Sequence, residues 1–218
     1  FEWLEIHITK SEDKTLYIHS LDETYHSRNG AISESNHVFI NQGINRTKGD
    51  IHILEIGFGT GLNALLAAQE AKKQNRKIIY HTLEPIPVPN HILEQLNYDE
   101  TLEGKELFKK IHDVKWESNE QVTNNFTIHK TEKKLEDINL VEAQYDVVFF
   151  DAFAPKKQPE LWDKSIFNKL FKSVRKNGIL TTYSAAGQLK RDLKSAGFMI
   201  ENPPGANGKR EMSVAIKN

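Results

Sequence analysis

The chain has 218 residues, 38% hydrophobic and 27% charged, enough for one sizeable α/β domain and too few for two full ones. No apolar run approaches the roughly 20 residues that span a bilayer, no leader segment is visible although the chain opens at Phe1 rather than Met, and the lack of cysteine excludes disulfides and thiolate metal sites, in keeping with a cytoplasmic location. The net charge of −1 argues against a non-specific nucleic-acid binder, but residues 152–218 carry 13 Lys/Arg against 5 Asp/Glu and residues 1–151 carry 16 against 25, so the C-terminal third presents either a phosphate-facing surface or an ordinary solvated basic face.

In chain order, residues 3–9 and 15–18 alternate apolar and polar around Ser11–Lys14 and predict a β-hairpin. Residues 20–49 read as ordered loop with one short strand at Val38–Ile40. From residue 50 strands and helices alternate. Strands are predicted at 51–56, 77–83, 126–129, 145–151 and 179–183, with a terminal pair at 198–201 and 211–216. Helices are predicted at 62–74, 91–98, 100–112, 165–176 and 187–196, with a short one at 132–138. Asn177-Gly178 and Gly197 supply helix stops. The expected fold is α/β: a Rossmann-like, open, mostly parallel seven-stranded sheet. An N-terminal extension over 1–49 carries the hairpin and a covering segment, and the main domain runs over 50–218.

In such sheets ligands bind at the carboxyl ends of the strands, and three segments fall there. Glu55-Ile56-Gly57-Phe58-Gly59-Thr60-Gly61-Leu62-Asn63 joins a strand to a helix, and its glycines let backbone N–H groups approach a ligand. The third glycine of a dinucleotide fingerprint would fall at Leu62, so the spacing departs from the NAD pattern. An acidic Glu55 suits S-adenosylmethionine, whose amino-acid end carries an ammonium. Glu84 ends the second strand, where a carboxylate can accept both ribose hydroxyls; a bare strand-end Glu is the plainer reading. Asp151-Ala152-Phe153-Ala154-Pro155 follows Val147–Phe150, and a carboxylate there is costly to bury without a partner such as a cationic cofactor or an amine. The nine histidines show no metal spacing, and no nucleophile elbow is present, so neither metal nor covalent intermediate is expected.

Five segments in order resemble the tRNA 5-aminomethyl(-2-thio)uridine methyltransferases: Leu21–Ser27 with Gly30–Ser35 and Val38-Phe39; Gly57–Asn63; Asp151–Lys156 with Pro159–Trp162; Ser184–Gly187; and Gly208–Met212. The resemblance covers nearly the whole chain. It implies a class I S-adenosylmethionine-dependent methyltransferase, the stand-alone form of a domain that many relatives fuse to an oxidoreductase. The implied substrate is the wobble uridine of a tRNA anticodon stem-loop, whose amine a separate oxidoreductase or upstream modification enzyme supplies. A monomer is the favoured state. Two segments depart from the family: Ile128–Thr131 lacks a Gly-Asp pair, and Pro204–Gly208 replaces a Gly-Phe-Gly run.

On this reading Glu55, Gly57, Phe58, Gly59, Thr60, Gly61, Asn63, Glu84 and Asp151 hold the cofactor. Asp151 also accepts a hydrogen bond from the amine, which it either orients alone or also deprotonates, although a structural role or one confined to cofactor contact suits it too. Tyr25 and Phe153 wall the base, although each equally suits plain core packing. Glu34, Pro155, Lys156, Ser184, Lys209 and Arg210 complete the substrate side, where any one of the cations also fits an ordinary solvated face. Rival readings are an aminopropyl transferase of the spermidine-synthase type, an NAD-dependent oxidoreductase and a non-catalytic RNA-binding module.

Overall fold

The computed structural model describes residues 4–218. Strands β1 (Leu4–Ile8) and β2 (Lys14–Ile18) form the expected hairpin, with Leu4 opposite Ile18 and Ile8 opposite Lys14. Trp3, where the first strand is expected to begin, lies outside the described residues. A two-residue strand, β3 (Glu23–Thr24), pairs with β2 and completes a small antiparallel sheet.

The hairpin turn starts the next element. Buried Asp13 accepts the backbone N–H of Ala31 at 3.1 Å and of Ile32 at 2.9 Å. A carboxylate there satisfies two orphan amides of a helix N-terminus and complements its partial positive charge. Helix α1 (Ala31–Ser35) begins at this cap and widens into a π-helical turn over Asn36–Asn41. The strand expected at Val38–Ile40 is therefore absent; those residues are helical. The cap lies 18 or more positions upstream, beyond any local signal, and the wide turn buries Val38, Phe39 and Ile40 together.

The main sheet comprises β4 (Ile51–Ile56), β5 (Ile78–Leu83), β6 (Asn119–Thr123), β7 (Phe126–Thr131), β8 (Tyr145–Phe150), β9 (Val174–Thr182), β10 (Met199–Glu201) and β11 (Ser213–Ile216). Their spatial order is β10-β11-β9-β8-β4-β5-β7-β6. All seven expected strands are present, and β6 is an additional antiparallel edge strand. Its sequence, Asn-Glu-Gln-Val-Thr, buries only Val122. A polar edge of this kind discourages pairing with a second chain.

Helices α2 (Leu62–Lys73), α3 (Asn90–Leu93), α4 (Leu102–Asp113), α5 (Lys164–Ser173) and α6 (Gly187–Ala196) complete the domain. The helix expected at 91–98 is only the four-residue α3. Asn97 leaves the helical path to accept from Lys14 N at 2.8 Å and donate to Glu12 O at 3.2 Å, tying this segment to the hairpin. The helix expected to reach residue 176 stops at Ser173. Val174 already pairs with Tyr145, and Asn177 sits at φ 65° where the β8–β9 register shifts. The Asn-Gly signal marks a bulge in β9, not a helix end.

The apolar run of β8 is buried on both sides. Val147 and Phe149 face the layer containing α1 and α2, while Val148 and Phe150 face α5 and α6. Two-sided burial is the reason a parallel central strand reads as a continuous hydrophobic run. From β4 the chain builds outward through β5 and β7, then crosses back to β8 on the other side of β4. The crevice between the carboxyl ends of β4 and β8 is thus the topological switch point, where open α/β sheets place their ligands. No helix among the described residues is long and apolar enough to cross a membrane.

Candidate active site

The loop after β4 enters the crevice with Gly57 at φ 92° and Gly59 at φ 51°. A Cβ on Gly57 would lie 2.8 Å from the Asp151 carbonyl oxygen, and one on Gly59 would lie 2.8 Å from the Tyr25 ring. Glycine is required at both by backbone conformation and by close approach. The loop is clamped from below. Burial lowers the His112 pKa to about 4, so the ring is neutral, and its Nε2 lies 3.0 Å from the Thr60 carbonyl, to which it donates. Phe58 packs on His112 and Trp116, at centroid distances of 5.3 and 5.9 Å. Lys130, 1% exposed, donates to the carbonyls of Ile111 and His112 at the end of α4 and lies 5.0 Å from the Trp116 ring centre. A cation on the last carbonyls of a helix completes its C-terminus electrostatically.

Glu84, at the end of β5, accepts the backbone N–H of Gly59 and of Ile86, each at 3.0 Å. Burial raises its pKa, and those two hydrogen bonds oppose the shift. Beside it opens a cavity of about 310 Å³ lined by Gly57, Phe58, Gly59, Thr60, Asn63, Glu84 and Asp151. Ile86, Leu135 and Leu161 continue its wall. The size is that of a small-molecule site. A fixed carboxylate for a diol, apolar sides for a flat base and a second carboxylate at the far end fit a nucleoside that carries a cation.

A second cavity of about 270 Å³ adjoins the first, lined by Glu23, Arg28, Glu34, Tyr183 and Lys209 among others. The two cavities share Tyr25, His26, Asp151, Ala152 and Phe153. Tyr25 and Phe153 meet edge to face at 5.1 Å and form the partition. Asp151 stands at the junction, its Oδ2 accepting from Asn63 Nδ2 at 2.8 Å. Desolvation pushes its carboxyl up to about 7, with the Asn63 hydrogen bond opposing and the charge of Glu34 reinforcing. Lys209 binds Glu34 at 2.5 Å and lies 5.6 Å from the Tyr183 ring centre. Glu34 also accepts the Ser27 amide at 3.0 Å.

Of the residues expected to hold a cofactor, Gly57, Phe58, Gly59, Thr60, Asn63, Glu84 and Asp151 line the first cavity. Glu55 and Gly61 do not; Glu55 is 0% exposed beneath the loop. On the substrate side Tyr25, Glu34, Phe153 and Lys209 surround the second cavity. Pro155 and Lys156 lie outside both cavities, on the loop beyond Ala154. Ser184 also lines neither, its carbonyl accepting from Ser213 Oγ, and Arg210 lines neither, its side chain being 95% exposed. The structure adds His26, which lines both cavities, and Tyr183, which lines the second. Tyr183 directly follows β9, so the strand-end rule that singles out Asp151 also selects it. His26 has no such signal; the fold brings its ring 3.4 Å from Thr60 Oγ1.

A family model described as S-adenosyl-L-methionine-dependent methyltransferase matches residues 95–218, more than half of the chain, a span that contains Asp151, Tyr183 and Lys209. The tRNA 5-methylaminomethyl-2-thiouridine biosynthesis bifunctional protein MnmC of Campylobacter hominis is 28% identical over 214 residues, 93% of this chain and 31% of that protein. Its counterpart from Leptospira interrogans is 30% identical over 229 residues, 95% of this chain and 34% of that protein. The chain therefore spans about a third of the length of these curated relatives. The crystal structure of MNMC2 from Aquifex aeolicus shares the fold, with a TM-score of 0.81 at 23% identity over 97% of this chain and 70% of that one. With its glycine loop, its strand-end carboxylates and this match, the chain belongs to the S-adenosyl-L-methionine-dependent methyltransferase family.

Proposed function

We propose that the chain methylates the aminomethyl nitrogen of 5-aminomethyluridine or its 2-thio form at the wobble position of tRNA, giving the 5-methylaminomethyl nucleoside. The observation that carries this reading is the position of Asp151 at the junction of two cavities, one shaped for the cofactor and one open to an acceptor. The names of the curated relatives, which refer to 5-methylaminomethyl-2-thiouridine biosynthesis in tRNA, point to the same acceptor.

When bound, S-adenosylmethionine supplies a methyl carbon on a cationic sulfur, open to displacement by an amine lone pair. An alkyl amine is mostly protonated at neutral pH and has no lone pair in that form. Asp151, with its proton affinity raised to about 7, accepts an N–H from the amine, directs the lone pair toward the first cavity and takes the proton. Glu84 would hold the ribose hydroxyls, and the backbone of Gly57–Thr60 would hold the amino-acid end. Tyr25 and Phe153 wall a base extruded from the anticodon loop. Lys209 and Arg210, on the basic C-terminal third, face the phosphates of the anticodon stem-loop. The chain acts as a monomer, on an amine made by an oxidoreductase or another upstream modification activity.

The test is mass spectrometry of nucleosides from tRNA bearing 5-aminomethyl-type uridine, incubated with the protein and S-adenosylmethionine. One methyl is expected on that nucleoside. Absence of transfer to any tRNA removes the reading.

A further inference from the structure

Glu55 is the acidic residue that opens the glycine loop, yet it lines neither cavity. Strand alternation explains this. Glu55 shares a face of β4 with Ile53 and is in register with Thr82 of β5 and Phe149 of β8, so it points into the core under α2. Its Oε2 accepts the Thr82 hydroxyl at 2.7 Å. Its Oε1 is unpaired, as are two neighbouring buried atoms, Asn63 Oδ1 and the Tyr80 hydroxyl. Asn63 in turn donates to Asp151. Among the described residues no cation acts on Glu55, and the charged neighbour that does, Asp151, has the same sign.

Donor counting separates the two protonation states. With Glu55 ionised, Oε1 can accept from the Tyr80 hydroxyl and from the second N–H of Asn63, but no donor is left for Asn63 Oδ1. One acceptor then stays orphaned beside an uncompensated buried charge. A single proton on Oε1 pairs all three atoms: Tyr80 donates to Oε1, and Oε1–H donates to Asn63 Oδ1. We propose that Glu55 is a neutral carboxylic acid that positions Asp151 through Asn63, and that it is not the partner of the cofactor's ammonium group. Burial drives the group the same way, raising its pKa to about 8 against the opposing hydrogen-bonding groups of Thr82, Tyr80 and Asn63. An amide whose carbonyl accepts a hydrogen bond donates more strongly from its nitrogen, so the chain Glu55–Asn63–Asp151 restrains the carboxylate that faces the acceptor. The role assigned to Asp151 rests on the function proposed above.

Three measurements on the full chain test this. Infrared spectroscopy at pH 6 is expected to show a protonated-carboxyl carbonyl band that Glu55→Gln removes. Calorimetry is expected to show S-adenosylmethionine binding to Glu55→Gln within about twofold of wild type. Turnover is expected to be largely retained in Glu55→Gln, whose amide N–H replaces the acid O–H. Glu55→Ala is expected to lose about tenfold or more in kcat, the worth of one strong hydrogen bond, with its acid limb moved to higher pH and its cofactor affinity kept. No Glu55-dependent band in the wild type, or a tenfold weaker Kd in Glu55→Gln, overturns the proposal. If Glu55→Ala fails to fold, the band and the Glu55→Gln affinity decide alone. Neither needs tRNA: an intact band and affinity without methyl transfer to tRNA would sink the acceptor assignment and leave the neutral Glu55 standing.

Discussion

At the scale of single residues the proposed chemistry concentrates on Asp151. Replacement by Asn keeps its shape and the Asn63 neighbour but cannot take a proton. A general base contributes on the order of 10²–10⁴ in rate, so Asp151→Asn is expected to lower kcat by at least about 10²-fold. Its S-adenosylmethionine Kd should stay within a few-fold. An unchanged rate at unchanged affinity would contradict the base role. The raised proton affinity fixes the pH dependence. As the proposed base the carboxylate is needed ionised, so kcat/KM is expected to rise with pH through about 7 in the free enzyme. Stability moves the opposite way. The unfolded chain ionises Asp151 in the ordinary carboxylate range and the folded chain only near 7, so folding loses stability as pH climbs between the two. The Asn variant escapes that loss, and its Tm advantage over wild type is expected to be larger at pH 8 than at pH 4.

At the scale of elements the cofactor loop depends on α4. Lys130 binds two carbonyls at the end of that helix and backs the Trp116 and Phe58 rings under the loop. Lys130→Met leaves those carbonyls unpaired in a buried site, at about 1–3 kcal/mol. The corresponding fall in Tm is several degrees for a domain of this size, readable by thermal unfolding. Elements also show how much was legible beforehand. The strands with two-sided burial, the glycine loop and the strand-end carboxylates follow from periodicity and spacing alone. What escaped depended on partners far along the chain. Val38–Ile40 looks like a strand because its cap, Asp13, sits on another element. Strand β6 looks like loop because it takes its strand form by pairing with β7 and buries a single residue, Val122. Glu55 belongs to the site by spacing, but the alternation of β4 turns its side chain into the core.

At the scale of the whole molecule the N-terminal segment and the C-terminal loop fasten across the second cavity. Lys209 pairs with Glu34, Ser33 donates to Asn207 Oδ1 at 2.9 Å, and Asn207 Nδ2 donates to Gly30 O at 3.2 Å. Lys209 and Arg210 are adjacent in sequence, yet only Lys209 belongs to this clasp; the Arg210 side chain is in solvent, 3.9 Å from Glu211. Their charge reversals should therefore separate. Arg210→Glu is expected to weaken tRNA binding and lower its salt dependence by about one counterion without changing Tm. Lys209→Glu is expected to weaken tRNA binding and also to lower Tm, since it places two carboxylates against each other. Equal Tm effects would show that the clasp carries no stability. The close approach of Tyr25 to Gly59 makes the glycine loop and the proposed acceptor wall a single mechanical unit. A methyl group added at residue 59 must displace the Tyr25 ring and so alter the acceptor's KM as well as cofactor affinity. Gly59→Ala and Tyr25→Ala should then be strongly non-additive in a double-mutant cycle. The same coupling should leave an evolutionary trace: in homologous chains the residue types at these two positions are expected to change together rather than independently.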